Sequence, residues 1–466
     1  MAHRRARRRP AARGQAVEHG AVDQSHDARR PHRAARLAGH DLLGLLEVPA
    51  RHGDDLGAGL AEPRIAQHRR RIVAGDAGAR VVVHEATAYA GGRCRSYHDA
   101  ALGMEIDNGN HLLLSANHAA LAFLRDIGAE GRLAGPRGAA FDFIDLATRE
   151  RWTLRMNEGR LPWWIFSPRM RVPGTRAFDY LKLARLLAPP AGKPIGEVIS
   201  CKGRLYERLV EPLLLAALNI APPQGSAKLA GAIVRETLAA GGAACRPLIA
   251  REGLGRTLIE PALAFLAAHG GEVRLGHQLH ALRLTDQAVA TLDFGTDSLT
   301  LADDDAVILA VPPYAASALV KGLEAPNEFR AIVNAHFRIE PPADAPPILG
   351  VLNATTEWIF AFPGRLSVTI SAGDRLIDTP REVLARTIWD EVQAASGLRA
   401  ALPPWQIVRE RRATFAATPA QDARRRGTAT AWFNLFLAGD WTDTGLPATI
   451  EGAIRSGNRA AESVAP

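Results

Sequence analysis

The chain has 466 residues, enough for two or three domains at about 150 residues each, which excludes a peptide, a small disulfide scaffold and a single small module. Its net charge of +8 is unevenly placed, because residues 1–78 hold 15 Arg and no Lys against nine acids; the rest is close to neutral and gives no ground for nucleic-acid binding. Three widely spaced cysteines (Cys94, Cys201, Cys245) offer neither a CxxC metal pair nor a disulfide framework, and no run nears the roughly 18 apolar residues of a membrane span. The expected setting is the cytoplasm, either free or resting on the inner face of the cell membrane.

In chain order, residues 1–78 contain no Phe, Trp, Tyr, Cys, Lys, Thr or Asn, yet carry 7 of the 15 His, and show no apolar period. Such a composition cannot bury enough apolar surface to fold alone. Two readings stand, a disordered basic extension or translation in the wrong frame, and the abrupt change at Gly78 favours the second.

From residue 79 the text is that of a globular α/β protein. Residues 79–84 (ARVVVH) form a β-branched, almost uncharged run of the kind found in buried parallel strands. Helical spacing follows over 117–128, then a helix over 257–269, a strand at 272–275, and an apolar strand at 306–311 closed by Pro312 and Pro313. A last buried strand, 435–438, precedes Gly439-Asp440 and a helix expected from about Pro447, a residue suited to the first helical position. Two stretches of different texture, 151–253 and 314–430, interrupt these pieces.

Glu85, at the end of the first of these strands, sits where a dinucleotide fold keeps an acid for a ribose hydroxyl; a solvated strand end is the plainer alternative. The glycine-rich turn that should precede it by about 20 residues is missing near 62–67, and Gly57-Ala58-Gly59-Leu60-Ala61-Glu62 imitates only its start. Gly91-Gly92-Arg93 reads either as a hairpin turn or as backbone amides and a guanidinium placed for a phosphate. The segment from Leu437 to Gly457 is more specific. It combines a buried strand, a Gly-Asp turn and a helix kept slim by Gly452, Ala453, Ser456 and Gly457, able to lie against a flat ligand or against a sheet.

Strand-Glu85, GGR with Ser96, Asp107-Asn108-Gly109-Asn110-His111, the late strand Gly271-Glu272-Val273 and GDWTDTGLPATIEGAIRSG together resemble the flavin-containing amine oxidase and carotenoid desaturase superfamily. Within it, the wording is similar to the squalene-associated, FAD-dependent branch of bacterial squalene and hopanoid biosynthesis. The resemblance spans residues 79–466. It implies an α/β fold with a Rossmann-like FAD-binding domain (79–150, 254–313 and 431–466), its first strand and glycine loop missing or frame-disrupted, and an inserted mixed α+β substrate domain (151–253 and 314–430).

The same resemblance implies FAD as cofactor. It assigns Glu85 to the adenosine ribose, the Val273 backbone to adenine, and Gly91, Gly92 and Arg93 to the pyrophosphate and flavin side. Gly109 and Asn110 go to the isoalloxazine neighbourhood, Gly439 and Asp440 to the ribityl or pyrophosphate region, and the Thr449–Ile450 backbone to the pyrimidine edge. The implied reaction is reductive dehydroxylation of hydroxysqualene, a long isoprenoid, to squalene. Without a glycine loop, the chain is expected to hold FAD weakly.

His111 is the candidate proton source for the departing hydroxyl, with Asp107 and Asp443 behind it; a local hydrogen bond is the simpler role. No metal is expected. Residues 151–190, with Trp152, Trp163, Trp164, Phe166, Phe178 and Tyr180 among arginines and leucines, read as a lipid-facing way in or as ordinary core. The rival readings are a phytoene-type desaturase, an amine oxidase, and an inactive or lipid-binding protein with an incomplete cofactor site.

Overall fold

Five parallel strands build one sheet in the order Glu272–Arg274, Arg80–His84, Ala34–Gly39, Ala306–Ala310, Leu435–Leu437. All four segments picked out downstream of residue 78 therefore share it. Val81 to Val83 and the whole of Ala306–Ala310 are buried, since runs such as VVV and AVILA have no polar face to turn to water and suit strands covered on both sides. The computed structural model describes residues 80–464 and three upstream strands, Ala34–Gly39, Val48–Pro49 and Arg71–Ile72. Contacts gather Arg33–Pro466 into one unit, and Met1–His32 lie outside the described residues.

The expected loss of the first strand is corrected. Ala34–Gly39 takes the central place, with Ala34 to Ala38 opposite Arg80 to His84 and Ala35 to Gly39 opposite Ala306 to Ala310. Without it the two flanking strands would each carry a row of unpaired N–H and C=O groups inside the sheet, and AARLAG contains no proline to break the ladder. The other residues of 1–78, and with them the expectation of a disordered or wrong-frame segment and the place of the glycine loop, lie outside the described residues.

The second sheet has seven strands, in the order Arg151–Arg155, Ala140–Asp145, Ile348–Leu352, Trp358–Phe362, Arg365–Ile370, Phe329–Arg338, Trp405–Phe415. Its neighbours run antiparallel except Ile348–Leu352, which lies parallel to Ala140–Asp145. The helix Arg381–Ser396 covers one face, with Ile388, Trp389 and Val392 packed in a cluster with Val333, Phe337 and Val368. Ala140–Asp145, on the cofactor-domain side of the division expected at residue 150, pairs with Arg151–Arg155 within the second sheet. The C-terminal helix is Ile450–Val464, later than expected: the Thr449 hydroxyl accepts the Gly452 N–H at 3.0 Å and caps it, leaving Pro447 in the loop before it. No helix among the described residues is long and apolar enough to cross a membrane.

Candidate active site

Chain segments leaving the carboxyl ends of the parallel strands, where open α/β sheets bind ligands, build the site. After Arg80–His84 the chain turns through Gly91 (φ 106°) and Gly92 (φ 52°), and a Cβ on Gly91 would lie 2.9 Å from Ile259 Cγ1. Only glycine fits there. The single helical turn Gly92–Cys94 then aims Arg93, whose guanidinium donates to Asp440 Oδ2 at 2.9 Å and to the Ala413 carbonyl at 2.7 Å.

Asp440 belongs to a loop held from several sides. The Gly439 N–H donates to Ser456 Oγ at 2.7 Å, and Trp441 Nε1 donates to the Val311 carbonyl at 2.8 Å. Beneath the loop the buried Arg425 donates to the carbonyls of Asp440, Trp441 and Thr442 and pairs with Asp422. Arg425 escaped the sequence reading because it stands in an Arg424-Arg425-Arg426 run that looks like a solvated surface. Its clue is Asp422, one helical turn earlier.

The segment 107–111 ties the start of the helical segment 255–268 to the seven-stranded sheet. Asp107 is buried, and its Oδ1 accepts from Ser96 Oγ at 2.5 Å and from the Leu254 N–H at 2.8 Å, while Ser96 Oγ accepts the Gly255 N–H. Burial raises its pKa. One carboxylate oxygen is engaged with Ser96 and the Leu254 N–H at the start of the helical segment 255–268, and Asp107 does not line the cavity described below. Asn110 Nδ2 donates to Thr369 Oγ1 at 3.0 Å, Thr369 Oγ1 donates to Asn334 Oδ1 at 2.8 Å, and Asn334 Nδ2 reaches the Asn108 carbonyl at 3.4 Å. Gly109 packs closely under this network, a Cβ there standing 3.2 Å from Asn334 Nδ2. Asn334 and Thr369 were missed, although a buried Asn inside the apolar strand AIVNAHF was a legible signal.

Several of these residues border a cavity of about 330 Å³. Arg93, Gly109, Asn110, His111, Asp440, Thr449 and Ile450 all line it, whereas Glu85, Gly91, Gly92, Val273 and Gly439 do not. Much of the remaining wall is apolar, with Phe141, Phe143, Leu154, Trp358 and Phe360 from the seven-stranded sheet, Met156 just beyond one of its strands, and Leu213 from the helix Glu211–Leu218. Four carboxylates reach the wall. Asp440 pairs with Arg93, Glu236 and Glu451 with Arg455, and Glu410 has no ion pair among the described residues; its carboxylate accepts the Arg412 N–H at 3.3 Å and Asn108 Nδ2 at 3.5 Å. Glu410, flanked by arginines in the run RERR, drew no attention in the sequence.

Burial and the Arg93 charge push the His111 pKa down to about 4. The expected proton source is therefore a neutral imidazole at neutral pH, which can donate or accept a hydrogen bond but does not arrive as an imidazolium.

Residues for FAD fall into two groups. At the cavity, the N-terminus of Ile450–Val464, the Arg93 cation and Asn110 Oδ1, a buried acceptor with no hydrogen-bond partner among the described residues, offer the mixture of N–H donors, charge and acceptor that a flavin edge requires. At the outer end of the sheet, Glu85 and Val273 stand on neighbouring strands, with Val273 opposite Val83 and the Glu85 N–H on the Arg274 carbonyl at 2.9 Å. One Glu85 oxygen already accepts from the Thr87 N–H and hydroxyl, at 2.8 and 2.9 Å. The described residues fit the cofactor at both ends, and the loop after Ala34–Gly39 lies outside them.

The sequence profile of the flavin containing amine oxidoreductase family matches residues 75–465. A Rhodopseudomonas palustris protein named hydroxysqualene dehydroxylase is 62% identical over 389 residues, covering 83% of this chain and 93% of that protein. One of the same name from Sinorhizobium fredii is 58% identical over 387 residues, with the same coverage. Among solved structures, cyclohexylamine oxidase from Brevibacterium oxydans aligns with a TM-score of 0.62 at 16% identity, over 93% of this chain and 99% of that one. A putative protoporphyrinogen oxidase from Exiguobacterium gives 0.60 at 16% identity with the same coverage. These structural likenesses show the fold.

Proposed function

The chain belongs to the flavin containing amine oxidoreductase family, and from that premise we propose that it is an FAD-dependent oxidoreductase that converts hydroxysqualene to squalene by reductive dehydroxylation. The observation that carries the reading is the cavity itself: Arg93, residues 108–111, Asp440 and Thr449 meet on its wall with a large set of aromatic and aliphatic side chains. Kinship with two proteins named for this reaction supports the choice of substrate.

The chemistry breaks the carbinol C–O bond and forms a C–H bond at the same carbon; the hydroxyl takes up a proton and leaves as water, and a hydride enters. FAD supplies that hydride when bound in its reduced form and is oxidised in turn. The chain's own residues do the rest. Phe143, Trp358, Phe360 and their neighbours keep water from the allylic cation left when the hydroxyl departs. Neutral His111 hydrogen-bonds the hydroxyl, and Glu410, the wall carboxylate without an ion pair, handles the proton or balances the developing charge. Glu85, Val273, Arg93, Asp440, Thr449 and Ile450 hold the cofactor. Because hydroxysqualene is insoluble in water, the enzyme works at the edge of a membrane.

The test is product analysis with purified protein, a flavin reductant, and hydroxysqualene or phytoene in parallel. Squalene from the first and no desaturated product from the second is the expected result. Desaturated phytoene would replace this reading with that of a desaturase.

A further inference from the structure

Trp163–Phe166 and Ala177–Leu181 are two short helical segments joined through Trp164 and Tyr180, whose rings meet edge to face at 5.0 Å and are buried. Ile165 is buried with them, and each segment turns two large apolar residues to solvent. Trp163 is 64% exposed, Phe166 62%, Phe178 79% and Leu181 60%. Large apolar side chains so exposed on both sides of a buried aromatic pair are not core, and they need an apolar neighbour.

The charges around them are one-sided. Residues 155–187 hold seven basic residues against two acids, in a body that is otherwise close to neutral. Arg160, Arg169 and Arg185 are exposed and have no carboxylate partner among the described residues. Beside Leu181 a cleft of about 200 Å³ is lined by Lys182, Lys202 and Arg204, with Asp179 its one acid. Asp179 is engaged, since it accepts the Arg176 N–H at 2.8 Å and stands 3.7 Å from Lys182 Nζ. Lys202 and Arg204 have no carboxylate partner among the described residues.

The patch is also joined to the cavity. After Leu181 the turn Lys182–Leu186 lies so close on the helix Ala227–Glu236 that a Cβ on Gly231 would strike the Leu186 carbonyl, and Arg235 donates to the Leu187 carbonyl at 2.8 Å. The far side of that helix, through Ile233 and Glu236, lines the cavity.

We propose that this surface docks the protein on an anionic phospholipid layer, with Trp163, Phe166, Phe178 and Leu181 entering the acyl boundary and the Lys182, Lys202, Arg204 cleft receiving a lipid phosphate. Aromatic and leucine side chains ringed by lysine and arginine match the two halves of such an interface, apolar below the headgroups and negative at them. Its purpose rests on the reading of a water-insoluble substrate; the docking itself does not.

The full-length protein, mixed with vesicles of phosphatidylglycerol and phosphatidylcholine or of phosphatidylcholine alone, tests it by co-sedimentation. Binding should favour the phosphatidylglycerol vesicles and weaken with salt. The double variant Phe178→Ser with Leu181→Ser should bind about tenfold or more weakly, and Lys202→Glu with Arg204→Glu should lose the preference for phosphatidylglycerol. Both variants should keep wild-type melting temperature and flavin content, which separates lost docking from lost folding. Equal binding to both vesicles, or variants that bind like wild type, overturns the proposal. So does a dimer that the apolar variant makes monomeric without any vesicle binding, because the patch would then be an interface between proteins. Squalene formation from detergent-dispersed hydroxysqualene is read separately: docking without turnover rejects the proposed reaction alone, and turnover without docking rejects the membrane surface alone.

Discussion

Replacing Asp440 with alanine removes a buried carboxylate and takes from the Arg93 guanidinium its ion-pair partner, while its hydrogen bond to the Ala413 carbonyl at 2.7 Å stays. Breaking a buried ion pair costs about 3–5 kcal/mol. Arg93 has a side chain 28% exposed and keeps its carbonyl partner, which lowers the expected cost to about 2 kcal/mol. Unfolding entropy of about 2.1 cal/mol/K per residue, taken over residues 80–464, gives roughly 0.8 kcal/mol per kelvin, so the melting temperature should fall by about 2–3 °C. Flavin content after gel filtration should fall further than that small loss explains, because Asp440 also lines the cavity. Asp440→Asn, which keeps an acceptor toward Arg93, should recover part of both. A variant with wild-type melting temperature and full flavin would refute the assignment of Asp440 to the cofactor and to Arg93.

Acid should destabilise the protein. The His111 and His336 pKa values are pushed down to about 4 and about 3 by burial, so between pH 6.5 and 4 the unfolded chain takes up protons that the folded chain refuses. Burial raises Glu357 to about 7, and this group works the other way between about pH 7 and 4.5, adding stability as pH falls. Two histidines outweigh one carboxyl, leaving a loss of about 1.4 kcal/mol per pH unit near pH 5.5 in urea unfolding. His336→Gln should nearly cancel that slope, and an unchanged slope would contradict the balance. Glu410→Gln should lower kcat about 100-fold at unchanged flavin content; equal loss of flavin would make its role structural. Gly439, at φ 131° with a Cβ position 2.7 Å from Trp441 Nε1, should lose about 3 kcal/mol or more as alanine. Gly427→Ala, with nothing within 4 Å, should not change the melting temperature.

What the sequence made legible was local. VVV, AVIL and LFL identify themselves as buried parallel strands without reference to their partners, and all three fall in one sheet. The Gly439-Asp440 turn and the small-residue helix after it were equally plain, although the helix start was misplaced because Thr449, not Pro447, supplies the cap. What was not legible depends on partners far away in the chain. Ala140–Asp145 could not be assigned to the second sheet without Ile348–Leu352, some two hundred residues on. The Leu254 N–H that Asp107 accepts lies 147 residues downstream of it. Ala34–Gly39 was hidden by the composition around it, and its place is fixed by two flanking strands that both need a neighbour.

The most direct measurement is an anaerobic single turnover. Protein loaded with FAD and reduced beforehand is mixed with hydroxysqualene, while flavin absorbance and squalene are followed together. Reoxidation of the flavin in step with squalene, one molecule for each flavin, is the predicted result. Flavin that stays reduced in the presence of hydroxysqualene, or reoxidises with no squalene formed, would contradict the account.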